Sequence, residues 1–105
     1  MRKCCEVNEV FVRVFKDAKY TLVAVCDTEL LGETFREGKL KLEVKADFYK
    51  GVQTSISEAL GAVNDADIAN LVGPEIVAAA VEQGLVDRSA IIRIAGIPHV
   101  QIVKM

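Results

Sequence analysis

The stretch Val7-Asn8-Glu9-Val10-Phe11-Val12-Arg13-Val14-Phe15-Lys16-Asp17-Ala18-Lys19-Tyr20-Thr21-Leu22-Val23-Ala24-Val25-Cys26 holds two runs of β-branched and aromatic residues around a short polar break. Such runs favour strands, and Asp17-Ala18-Lys19 between them supplies a turn, so the segment predicts a β-hairpin. With the turn centred near Ala18, Val14 lies across from Leu22, Val12 from Ala24 and Val10 from Cys26. One face is then uniformly apolar, Arg13 joins the other, and Cys26 falls in the core, where a thiol is ordinary packing.

Beyond the hairpin, Asp27 or Thr28 caps an expected short helix that runs to Glu37, carries Leu30, Leu31 and Phe35 on one side and ends at Gly38. Lys39 to Val44 alternates strictly and predicts a strand covered on one face, with lysines guarding an edge. Ala46 to Thr54 is irregular and is expected to be a loop carrying Phe48 and Tyr49. Ser55-Ile56-Ser57-Glu58 has the spacing of a capping box, and Ile56, Ala59, Leu60 and Val63 follow at helical intervals as far as Asn64.

Ala66 to Val72 fits helix and strand about equally and is assigned as a short buried strand. Gly73-Pro74-Glu75 opens the clearest helix, with Ile76, Val77, Ala80 and Val81 as its stripe, Gly84 at its end and Leu85 packing back over the cap. Ala90 to Met105 reads as a second hairpin around Gly96-Ile97, in a type II′ turn, which sets His99 opposite Ile94, Gln101 opposite Ile92 and Val100 opposite Arg93. A cis Ile97-Pro98 bond would give a different turn and another pairing. Together these elements predict an α+β fold: a two-layer sandwich in which a mixed, mainly antiparallel sheet has helices packed on one side.

The 105 residues are expected to form a single domain, because no Pro/Ser/Gly-rich or single-charge stretch interrupts them. Apolar residues make up 51% and charged residues 27%, enough for a core and well away from the composition of disorder. In so small a domain this apolar content also leaves surface to cover, which makes a homo-oligomer or a partner surface an expectation. The net charge of −2 gives no electrostatic footprint for a phosphate backbone, so direct nucleic-acid binding is unsupported; its local form would need a patch from Arg2, Lys3, Arg13, Lys39 and Lys41. No apolar run follows Met1-Arg2-Lys3 and none is long enough to span a bilayer, so a cytoplasmic protein without membrane attachment is expected.

Three cysteines in such a chain are expected to be reduced, with the adjacent Cys4 and Cys5 too close for an unstrained bridge. The glycines form neither a dinucleotide fingerprint nor a phosphate loop, and there is no C-x-x-C or H-E-x-x-H, so no cofactor and no metal are expected. A composite zinc site from Cys4, Cys5, Cys26 and His99 has the right ligand types but needs the N-terminal end to fold back. His99 is the only histidine and the natural proton shuttle near neutral pH, yet no nucleophile is marked as its partner.

Asn70, His99 and Gln101 are polar groups inside apolar strands, and Arg93 sits between isoleucines; each must be paired or must line a site. These four are the candidate polar site. Phe48 and Tyr49, beside Lys45 and Lys50, have the makings of a base-stacking loop, although two aromatics and two lysines in one loop are commonplace.

Leu22 to Asp27, Leu30 to Gly38, Ala69 to Gly73 and Gly96 to Gln101 occur in the order of a family of small archaeal proteins known as domain of unknown function 424, which the chain resembles from Val10 to Met105. The resemblance implies an archaeal cytosolic protein of one domain with a role near translation or RNA metabolism, and it assigns no catalytic residue. The residues themselves favour a non-catalytic binding or adaptor module that docks a protein or ribonucleoprotein around the C-terminal hairpin. The alternative is a small enzyme or ligand-binding protein with a pocket around His99, Gln101 and Asn70.

Overall fold

In the computed structural model, which describes residues 9–104, the chain folds as a mixed sheet with helices packed against it, an α+β fold. Strands β1 (Glu9–Lys16) and β2 (Thr21–Asp27) form the N-terminal hairpin. Asp17 accepts hydrogen bonds from the amides of Lys19 and Tyr20, both at 2.8 Å, and so fixes a loop of four residues between Lys16 and its partner Thr21. The expected register is therefore off by one: Val14 pairs with Val23, Val12 with Val25 and Val10 with Asp27. A slip of one residue exchanges faces, so Cys26 is buried as expected but lies on the side of Phe11 and Phe15 rather than with Val10.

After β2 comes a single 3-10 turn at Thr28–Leu30, not a helix to Glu37. The rest of the expected helix is strand β3 (Thr34–Glu37), paired with β4 (Leu40–Glu43) in a second, two-stranded sheet. The strictly alternating β4 needs a ladder partner, and the four residues before Gly38 supply it; Leu30 and Phe35 meet across this cap instead of along a helix. The expected loop that follows is likewise ordered, as the one-turn α1 (Ala46–Tyr49) and the edge strand β5 (Val52–Ser55), which pairs with β1. Neither segment is long enough to show a period in sequence.

Helix α2 (Ile56–Asp65) begins at Ser55, whose hydroxyl accepts from the amide of Glu58 at 3.3 Å. The Glu58 carboxylate takes the Thr54 hydroxyl at 3.0 Å, so only half of the expected capping box is present. Strand β6 (Ile68–Val72) runs parallel to β2, and Asp67 ties their starting ends together through its carboxylate and its amide, each at 2.9 Å from Thr21. Helix α3 (Pro74–Glu82) follows at once and closes as expected, with Gly84 and Leu85 donating to Val81 and Ala80.

The C-terminal hairpin is β7 (Ile92–Ile94) and β8 (Ile97–Val103). Its turn is Ala95-Gly96, with φ of +53° and +81°, so both central residues are left-handed, as in a type I′ turn, and the expected II′ turn at Gly96-Ile97 is displaced. The pairing is consequently Ile94 with Ile97, Arg93 with Pro98 and Ile92 with His99, and the Ile97-Pro98 bond is trans. The Ala95 amide donates to the Glu37 carboxylate at 2.7 Å, which fastens this turn to the small sheet.

The main sheet has the order β5-β1-β2-β6-β8-β7, with β2 and β6 as its one parallel pair among the described residues. Helices α2 and α3 cover one face, where Val10, Val12, Val23, Val25, Leu71 and Val100 pack on Ala59, Val63, Ile76, Val77 and Ala80. A second core on the other face gathers Ala24, Cys26 and Val72 under Leu30, Leu42, Val44 and Tyr49. No helix of the described residues is long and apolar enough to cross a membrane.

Asp27 joins the layers. It is 1% exposed, and its carboxylate accepts the Glu75 and Ile76 amides in the first turn of α3, at 2.9 and 3.1 Å. Gly73 makes room for it, since at φ +121° a Cβ there would stand within 2.7 Å of both carboxylate oxygens. Replacing Asp27 by Ala leaves two amides without their acceptor and should cost about 1–3 kcal/mol. Gly73→Ala should cost more in the native chain than in the Asp27→Ala background, because part of its penalty is the overlap with the carboxylate. A urea-denaturation cycle of the four proteins tests this; strictly additive costs would refute the contact.

Candidate functional site

The pleat sorts the strand residues of the sheet face opposite α2 and α3 into lateral rows. One runs Phe11, Cys26, Val72, His99, Ile92; the next Arg13, Ala24, Asn70, Gln101; the third Phe15, Leu22, Ile68, Val103. The small sheet and α1 lie over Cys26, Ala24 and Val72, but they stop short of the β6–β8 end of the lower rows. Gln101 and Val103 are exposed there, while Leu22, Ile68, Asn70 and His99 are half-buried.

Three of the four sequence-predicted polar residues therefore meet: Asn70 stands directly across from Gln101, and His99 is two positions before Gln101 on the same face. The fourth does not. Arg93 pairs with Pro98 and faces the helix side, where it lines a cleft with Arg88. Arg88 lies in a 3-10 turn (Arg88–Ala90) just before β7, and no periodicity in the sequence connects it to Arg93.

The side chains of Asn70, His99 and Gln101 make no hydrogen bonds to one another or to other described residues, and each keeps some exposure to solvent. Burial holds the His99 imidazole below its ordinary pKa, which keeps the ring neutral at neutral pH. Val72 separates it from Cys26, so two strand spacings, about 10 Å, lie between their backbones. Burial, and secondarily the Asp27 charge, pushes the Cys26 thiol up to about 12, so it is no thiolate for a histidine to assist. Five prominent clefts mark the surface of the described residues, and none is lined by Asn70, His99 or Gln101.

The other candidate chemistries are used structurally or lie elsewhere. Phe48 stacks on Phe15 at 5.3 Å and meets the buried Tyr49 edge-on at 5.0 Å, while the Arg13 guanidinium sits 4.7 Å over Phe15 and donates to the Asp47 carbonyl. Tyr49 is thus core, and the half-buried Phe15 and Phe48 pack on each other and against it. Of the expected basic patch, Arg13 is thus engaged and Lys41 pairs with Glu43 at 3.4 Å; Arg2 and Lys3 lie outside the described residues, as do Cys4 and Cys5 of the composite zinc site. Among the described residues no three metal-ligating side chains are grouped.

Comparison with known proteins places this arrangement in a family. A family model described as "Protein of unknown function (DUF424)" matches residues 15–105. The chain belongs to that family. A crystal structure of an uncharacterized conserved protein from Methanopyrus kandleri is similar, with a TM-score of 0.75 and 24% identity over 90% of each chain, which shows a shared fold. No curated protein matches.

Two outcomes follow from the burial of these groups. The folded pKa of His99 lies below its unfolded value, so on acidification the unfolded chain takes the proton first, and stability is lost progressively from the ordinary histidine value of about 6.5 down to the lowered folded value. The urea midpoint of the native chain should fall more steeply than that of His99→Gln through this window; parallel curves would contradict it. Cys26 should resist iodoacetamide in the folded protein and react once urea unfolds it, as read by mass mapping of its tryptic peptide. Equal labelling in both states would show that the thiol is not buried.

Proposed function

We propose that the protein is a non-catalytic binding or adaptor module, and that its working surface is the uncovered half of the sheet around the C-terminal hairpin. The observation that carries this reading is the mixed patch itself: amide and imidazole groups of Asn70, Gln101 and His99 lie in one open row system between Leu22, Ile68, Ile92 and Val103. Apolar area with uncharged hydrogen-bonding groups, and no charged side chain within the group, is the composition of a protein-docking patch. An enzyme or ligand pocket built on Asn70, His99 and Gln101 finds less support, since they line none of the five clefts and His99 has no hydrogen-bonded partner among the described residues.

The occupant we favour is a protein, alone or within a ribonucleoprotein; a second copy of the chain is the other protein occupant. An archaeal cytosolic setting near translation or RNA metabolism is part of the proposal and rests on family resemblance. A photo-crosslinking side chain at Gln101 in the full chain, set against a control at Glu82 on the helix side, tests the surface in native lysate with and without nuclease. We expect one dominant adduct specific to position 101, unaffected by nuclease and lost when Val103→Glu is added, a substitution at an exposed site that leaves folding intact. Equal labelling from both positions would overturn the reading.

A further inference from the structure

On the helix-bearing side of the sheet a cleft of about 440 Å³ lies between α3 and the C-terminal hairpin. Its apolar wall is a helical stripe, Val77 and Val81 of α3, facing Ile91 and Pro98. Arg88 and Arg93 also line it, and no acidic or aromatic side chain does. Neither guanidinium has an ion pair or a hydrogen bond among the described residues. Two guanidinium forks without a partner among the described residues thus stand beside an apolar wall, a locally cationic site on a chain of net charge −2.

We propose that this cleft binds a peptide segment in which an aliphatic side chain lies next to a carboxylate. The aliphatic group packs on Val81 and Ile91 above the buried Val77, and Arg88 and Arg93 hold the carboxylate. The charge of the two arginines selects an anion, and the apolar wall demands that the anion carry a hydrocarbon body. A nucleotide fits poorly because no aromatic ring is present to stack its base. The volume lies within the range of about 300–1,000 Å³ usual for compact ligand sites. Strand β7 bounds the cleft and is the last strand of the sheet among the described residues, so its outer backbone groups have no strand partner there and suit a peptide lying along it better than a free acid.

This inference is independent of the docking surface proposed above, which lies on the opposite face of the sheet and involves none of these side chains. The test titrates the full ¹⁵N-labelled chain with a Leu-Asp-Leu-Asp peptide acetylated at its N-terminus and amidated at its C-terminus and, separately, with its equally blocked Leu-Asn-Leu-Asn counterpart, octanoate and inorganic phosphate. Amide shifts should appear in α3 and β7 with the aspartate peptide and remain absent from Asn70 and Gln101. Affinity should fall roughly tenfold or more in Arg88→Gln/Arg93→Gln, as expected for losing charge-assisted hydrogen bonds. Both arginines are exposed, so an unchanged thermal midpoint separates binding from folding. Ala78→Glu, at another exposed position lining the cleft, should block binding by placing a like charge in it. Absence of shifts at millimolar aspartate peptide, equal binding of the asparagine peptide, or indifference to the arginine substitutions would overturn the proposal, and a stronger response to octanoate or phosphate alone would replace the peptide with a free acid or an inorganic anion.

Discussion

The packing of α3 on the sheet depends on one buried carboxylate. Asp27 ends β2, α3 begins one residue after the neighbouring parallel strand β6, and the carboxylate bridges the two by accepting the Glu75 and Ile76 amides. Burial raises its pKa from the ordinary value and those amides pull it part of the way back, so the helix N-terminus offsets part of the desolvation of the carboxylate. The arrangement also constrains sequence elsewhere, because Gly73 must leave its Cβ position empty. In open sheets the carboxyl ends of parallel strands are where ligands commonly meet a helix N-terminus. Here the protein's own side chain occupies that place.

The two faces differ because their covers differ in length. Helices of ten and nine residues close one face, whereas the other is capped by a pair of four-residue strands, a 3-10 turn and a one-turn helix. That cap reaches Cys26 and Val72 but not Ile68 or Val103. The row Leu22, Ile68, Val103 therefore starts against the second core at Leu22 and runs out of it at Ile68 and Val103, the last of which remains 55% exposed. The polar residues of the neighbouring rows are tolerated because water reaches them.

The elements legible in the sequence were those with a local cause. Ser55 caps α2, Gly73-Pro74 opens α3, Gly84 and Leu85 close it, and Lys39 to Val44 alternates, because each signal is contained within a few residues. The elements misread have a distant cause. Thr34 to Glu37 is a strand because Leu40 to Glu43 pairs with it, Val52 to Ser55 because β1 has an open edge, and Asp27 caps a helix 48 residues away rather than the segment it precedes. The neighbourhood of Arg88 and Arg93 was illegible for the same reason: α3 creates it, and neither arginine's own segment carries a sign of it.

Errors of register had unequal consequences, and parity explains why. In the N-terminal hairpin the turn was misplaced so that pairing shifted by one, which moved Leu22, Ala24 and Cys26 onto the opposite face from Val10 and Val12. In the C-terminal hairpin the turn at Ala95-Gly96 shifts pairing by two, and a shift of two changes partners without changing faces. His99 and Gln101 thus remain on one side and Arg93 on the other, as the alternation of the strands already required. The four polar residues did not form one site because alternation divides them. The same hairpin consequently presents uncharged amide and imidazole groups to one side of the sheet and a guanidinium to the other, and two surfaces of different chemistry arise from neighbouring positions of one chain segment.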